Sequence, residues 1–138
     1  MNEARFLEMG LFRIRIDENR AEQVISLKEK NGDRILPIII GANEANAIKA
    51  KIMSSQHPRP LTHDLLINTI HLLGGKIEKV IVDKLVDNIF YAKLVIRMEG
   101  DGRTHKIDAR PSDAVALAVR VGAPIFVAEE ILEKLKSL

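Results

Sequence analysis

A chain of 138 residues, 46% hydrophobic and 29% charged, has the length and balance of a single domain that buries its own core. It has no cysteine, which excludes disulfides, zinc–thiolate centres and thiol nucleophiles, and no apolar run reaches the roughly 20 residues of a membrane-spanning helix. A net charge of +2 permits nucleic-acid binding without demanding it, and with aromatics at only 4% the core falls to Ile, Leu, Val and Ala.

The opening Met1-Asn2-Glu3-Ala4-Arg5 lacks the basic-then-apolar layout of a signal peptide, so a cytoplasmic location is expected, with no membrane partner. Residues 10–17 then alternate, with Phe12, Ile14 and Ile16 on one side and Arg13, Arg15 and Asp17 on the other, the pattern of a half-buried strand. A second strand is predicted over Val24–Lys28, and Asn31-Gly32-Asp33 turns it back into a third over Ile35–Ile40. The run Leu36-Pro37-Ile38-Ile39-Ile40 reads as covered on both faces, and Pro37, lacking a ladder donor, places it at an edge or a bulge. After Gly41, Ala45, Ile48 and Ile52 recur at helical spacing. Ser54–Leu61, with Pro58 and Pro60, is a loop, and Thr62 is the expected N-cap of a helix that ends at Gly74-Gly75.

Three more strands are predicted over about 76–86, 89–98 and 103–109, separated by Asp87-Asn88 and by Gly100-Asp101-Gly102. Pro111 suits the first turn of a helix whose Ala114, Leu117, Ala118 and Val121 form the buried stripe, and Gly122 ends it. A short strand over Pro124–Val127 and a helix over Glu129–Leu135 complete an α+β domain of six or seven strands in a mixed or antiparallel sheet, with four helices. The segments Glu44-Ala45-Asn46-Ala47-Ile48 and Asp113-Ala114-Val115-Ala116-Leu117 each follow strands with an acid opening a helix of small residues. The order therefore reads as βββα, a helix, then βββα again. Nothing resembles a linker, so residues 1–138 form one domain.

Three clusters place polar groups where the apolar pattern does not need them. In Arg59-Pro60-Leu61-Thr62-His63-Asp64-Leu65 two prolines stiffen the presentation of Arg59, and His63 and Asp64 open a helix where backbone N–H groups favour anions. Asp64, Asn68 and His71 share a helical stripe. Asp108-Ala109-Arg110-Pro111-Ser112-Asp113 crowds two carboxylates, a guanidinium and a hydroxyl at a strand-to-helix corner, either as oxygen ligands for a hard cation or as a knot in which Arg110 bridges Asp108 and Asp113. Gly41-Ala42-Asn43-Glu44 is the matching corner of the repeat. Between Ala45 and His63 there is no acid, whereas Lys49, Lys51, His57, Arg59 and His63 all fall there: a solvated face, or a basic rim that meets phosphates. P-loop, dinucleotide-binding, zinc-protease and serine-hydrolase motifs are missing, and the four histidines at 57, 63, 71 and 105 lack metal-site spacing.

With Leu36-Pro37-Ile38-Ile39-Ile40-Gly41 and Glu44-Ala45, then Leu73-Gly74 and Pro124-Ile125 with Val127 and Glu129, these clusters resemble the bifunctional nuclease family, in the family's order, over about residues 8–132. The resemblance implies hydrolysis of RNA or DNA, and its polar motif positions here are Glu44, Arg59, Thr62, His63, Asp64, Asp108, Arg110, Ser112 and Asp113. His63 suits proton transfer because histidine changes charge near neutral pH, and Arg59 and Arg110, with Thr62 and Ser112, suit substrate phosphate. Asp64, Asp108 and Asp113 would orient the histidine or hold a divalent cation, Mg²⁺ or Mn²⁺ on Asp108 with Asp113, and Glu44 completes the catalytic set. The lone Tyr91 offers no stacking platform, so substrate contact should run mainly through phosphate with low sequence specificity. The rival reading is a non-catalytic module whose charged motifs are structural or form a cleft for a partner or for a second copy in a homo-oligomer.

Overall fold

Local alternation in both halves of the chain becomes two antiparallel meanders. The computed structural model describes residues 5–54 and 56–136. Strands β1 (Phe6–Arg15), β2 (Glu22–Glu29) and β3 (Ile35–Gly41) form the first meander, which passes directly into helix α1 (Ala42–Ile52). Helix α2 (Thr62–Leu72) leads to the second, β4 (Gly75–Val86), β5 (Ile89–Met98) and β6 (Thr104–Ala109), which passes into α3 (Pro111–Val121). Strand β7 (Ile125–Ala128) and helix α4 (Glu129–Lys136) follow. The seven strands make one mixed sheet in the order β3-β2-β1-β7-β4-β5-β6, with β7 antiparallel to β1 and parallel to β4. The expected α+β architecture and the repeated βββα order are both present.

The turns obey their residues. Asp87 and Asn88 both take positive φ (51° and 64°), the geometry of a two-residue hairpin whose twist matches its strands. Gly122 takes φ 72° at the end of α3, a left-handed turn in which the closing backbone N–H groups donate to the Ala118 carbonyl. Three expectations need correction. The first strand is 6–15 rather than 10–17, because Phe6–Met9 pair with Ala128–Ile125 from the far end of the chain. Its end is set by Gln23, which is 2% exposed and whose amide donates to the carbonyls of Asp17 and Arg20. Strand β3 is not covered on both faces: it is an edge strand, as Pro37 requires, and Ile35 and Ile39 face solvent at 46% and 64% exposure. Finally, Leu61 and not Thr62 is the N-cap of α2; Leu61 has no side-chain acceptor, so only Asp64 closes that turn, accepting the Leu61 N–H at 3.0 Å.

All four helices pack on one face of the sheet. Helix α1 lies against β2 and β3, α2 and α3 against β4, and α4 against β4 and β7, and the inward residues of the strands join those of the helices in a single core. Ala114, Ala116 and Ala118 are buried in α3, and their small size lets it approach both the sheet and α1. A flat seven-stranded sheet would hold its edges ~29 Å apart at ~4.8 Å per strand. The helices that follow the two edge strands nevertheless meet through one arginine side chain, so the sheet must curl around its helices.

Candidate functional site

That curl brings three helix starts together. Glu44 is the third residue of α1 and Asp113 the third residue of α3, equivalent positions in the two halves. Arg110, the N-cap of α3, spans them: its Nε donates to Asp113 Oδ2 at 2.9 Å and its Nη1 donates to Glu44 Oε1 at 3.1 Å. His63, second residue of α2, places Nε2 2.9 Å from Asp113 Oδ1. An ionised carboxylate only accepts hydrogen bonds, so in the neutral ring Nε2 carries the proton and Nδ1 is the basic nitrogen. Nδ1 makes no hydrogen bond among the described residues. Burial pushes the Asp113 carboxyl up, but the hydrogen bonds from Arg110 and His63 and their charge outweigh it and hold Asp113 below its ordinary value of 3.8. The same partnership raises Arg110, chiefly through its hydrogen bond to Asp113.

Glu44, His63, Arg110 and Asp113 form the polar end of an open groove of about 750 Å³. Leu66, Leu94, Ile107 and Leu117 supply its apolar wall, with Leu66 and Ile107 exposed, and His57 borders it from the loop before α2. The side chains of His63 and Asp113 are 14% and 28% exposed, enough shelter to strengthen their contact while leaving it open to the groove. Thr62 also lines the groove, and Ser112 is buried at the start of α3.

Asp64 turns the other way. Its Oδ2 accepts the Leu61 N–H and its Oδ1 accepts Arg120 Nε at 3.1 Å, and the Leu61 hydrogen bond first, then Arg120, lowers its pKa. Arg120 also donates to the carbonyls of Ala116 and Ala47 at 3.1 and 3.0 Å, so one side chain, 5% exposed, ties α1, α2 and α3 together. Sequence reasoning missed Arg120; its signal was a lone cation in the otherwise apolar run Ala114–Val121. The stripe of Asp64, Asn68 and His71 does share one surface, a shallow hollow with Lys51 and Arg120. The basic rim divides: Lys51 and His57 flank Asp64, whereas Lys49 faces Phe12 and Ile14 on the other side of α1. Arg59 stands exposed in the loop, with no ion pair or hydrogen bond among the described residues.

Asp108 also borders the groove, but its carboxylate pairs away from Arg110. Strand alternation puts it on the helix-free face with Lys93, whose Nζ lies 3.7 Å from Asp108 Oδ1 and 3.7 Å from Asp83 Oδ2. Arg110 therefore bridges Asp113 and Glu44, not Asp113 and Asp108. Asp108 and Asp113, the carboxylates expected to share Mg²⁺ or Mn²⁺, thus engage different cations, and among the described residues no three His, Asp or Glu side chains gather as a metal site.

Residues 25–137 match the family model described as the bifunctional nuclease domain. An uncharacterized protein of Mycobacterium tuberculosis is 43% identical over 125 residues, covering 91% of this chain and 73% of that protein. Bifunctional nuclease 2 of Oryza sativa subsp. japonica is 30% identical over 115 residues, covering 81% of this chain and 35% of the plant protein. Bifunctional nuclease 1 of Arabidopsis thaliana is 30% identical over 105 residues, covering 75% of this chain and 32% of that protein. The chain thus spans about a third of the length of these plant relatives.

Proposed function

Because this chain belongs to the bifunctional nuclease family, we propose that it hydrolyses phosphodiester bonds of RNA or DNA, with His63 as the proton-transfer group. The observation that carries this reading is the His63–Asp113 pair at the polar end of the groove, with Nδ1 facing no competing protein partner. Asp113 fixes the tautomer and the ring orientation, and its negative charge favours the imidazolium that forms on proton transfer. Nδ1 takes the proton of the attacking water as the new P–O bond forms; the bond to the leaving oxygen breaks, that oxygen takes a proton from solvent, and the imidazolium returns its own to solvent. Arg110, anchored by two carboxylates yet 65% exposed at its side chain, offers its remaining N–H groups to the phosphoryl oxygens. The apolar wall beside it has room for a base or a sugar face without reading its edges.

The test is hydrolysis of RNA and DNA by highly purified protein, with EDTA and with added Mg²⁺ or Mn²⁺, comparing wild type with His63→Ala. The expected result is a loss of roughly 100-fold or more with the fold intact. Unchanged activity at matched purity would remove His63 from the chemistry. The mutual pairing of Arg110, Glu44 and Asp113 favours a second, structural reading of the same motif. Under it, Asp113→Asn lowers the melting temperature and no pure preparation cleaves either substrate.

A further inference from the structure

The face of the sheet that no helix covers carries an uneven charge. On β4–β6 its residues fall into cross-strand rows: Lys76, Arg97 and Thr104 in one, Lys79, Val95 and Lys106 in the next, then Ile81, Lys93 and Asp108. Lys93 is neutralised by Asp83 and Asp108. Lys76, Lys79, Arg97 and Lys106 form no ion pair among the described residues, although Glu78 sits in the adjoining bulge and Glu99 just past β5; Lys79 lies 5.7 Å over the Phe126 ring.

Lys76 and Arg97 are direct cross-strand partners, and like charges directly opposed weaken a sheet. Val95, between Lys79 and Lys106, is 3% exposed with no helix above it, so side chains of this same face must cover it. The four cations therefore stand on a supported surface, in rows about 7 Å apart, the rise of two strand residues.

We propose that this face of β4–β6 binds the phosphate backbone of a nucleic acid, on the opposite side of the sheet from the groove. The choice of a nucleic acid over other polyanions rests on the nuclease reading; the surface itself rests on uncompensated, mutually repelling cations that a polyanion would relieve. Such contacts position a strand without reading its sequence.

The probe is a short labelled RNA or DNA strand, titrated by fluorescence anisotropy into the His63→Ala chain so that cleavage does not intervene. Replacing Lys76, Arg97 and Lys106 together by Glu should weaken binding about tenfold or more, and should flatten the salt dependence of log K by roughly one per cation removed. Lys76→Glu alone should hold or raise the melting temperature, since it turns the opposed like-charge pair with Arg97 into an opposite-charge pair, whereas the triple variant sets two glutamates face to face. Lys28→Glu, on the same face at β2, should change affinity little. Equal binding by the triple variant, or an equal loss from Lys28→Glu, overturns the proposal. So does binding to anionic phospholipid vesicles without binding to the oligonucleotide. If wild type cleaves nothing while the triple variant loses binding, the surface stands and the catalytic reading falls.

Discussion

At the scale of single residues, Asp113 has the most demanding position. It serves Arg110 and His63 at once, and its ionised form is favoured by both although burial opposes it. A carboxyl depressed on folding contributes stability that is present above its unfolded value and is lost as the pH falls through its folded value. With an ordinary value of 3.8, the wild-type urea midpoint should fall as the pH drops below about 3.8 toward about 2. Asp113→Asn should fall less steeply. It should not be flat, because Asp64 is depressed too, by the Leu61 N–H and Arg120. Identical slopes would mean that the Arg110–Asp113 contact does not persist in solution. Asp113 was legible in the sequence as an acid opening a helix and as one of the acids expected to orient His63; that it, and not Asp64 beside the histidine, makes the contact was not.

At the scale of elements, short-range chemistry set most boundaries. Gly122 closes α3 in the left-handed region, and a Cβ there would meet no atom within 4 Å. Gly122→Ala should therefore cost only the backbone strain, about 1 kcal/mol, read as a lowered melting temperature with unchanged circular dichroism. A larger loss would point to packing against this cap. The predicted elements follow their periodicity closely, but the beginning of β1 and the exposure of β3 do not, because both depend on neighbours: Ile125–Ala128 extend β1, and the lack of a second helical layer exposes Ile35 and Ile39. Thr62 misled for a different reason. It is a good cap by composition, yet Asp64 reaches back to Leu61 and starts the helix one residue earlier.

At the scale of the whole molecule, Arg120 joins what the sheet separates, bonding Ala47 of α1, Asp64 of α2 and Ala116 of α3. Arg120→Met keeps the length and loses the donors, leaving the Ala47 and Ala116 carbonyls with only their helical hydrogen bonds and Asp64 with only the Leu61 N–H. The expected cost is about 2–3 kcal/mol in urea or thermal unfolding. Activity should fall as well, since α2 carries His63. Full stability in the variant would show that core packing alone seats the three helices.

Alternation and turn residues by themselves determined that this chain forms strands and helices in this order, with a βββα unit twice. Those signals act between neighbours in sequence, and hydrophobic period and backbone geometry suffice to read them. The motif residues Glu44, His63, Arg110 and Asp113 were also visible as polar groups at helix starts. Only the tertiary structure decided that four residues at β7 would hold the two meanders together, and that the sheet would curl until Arg110 reached Glu44. It also sent Asp108 to the opposite face, to Lys93. The reason is physical: strand pairing and charge pairing are chosen among all partners the folded chain offers, and that choice is made only when the core has closed.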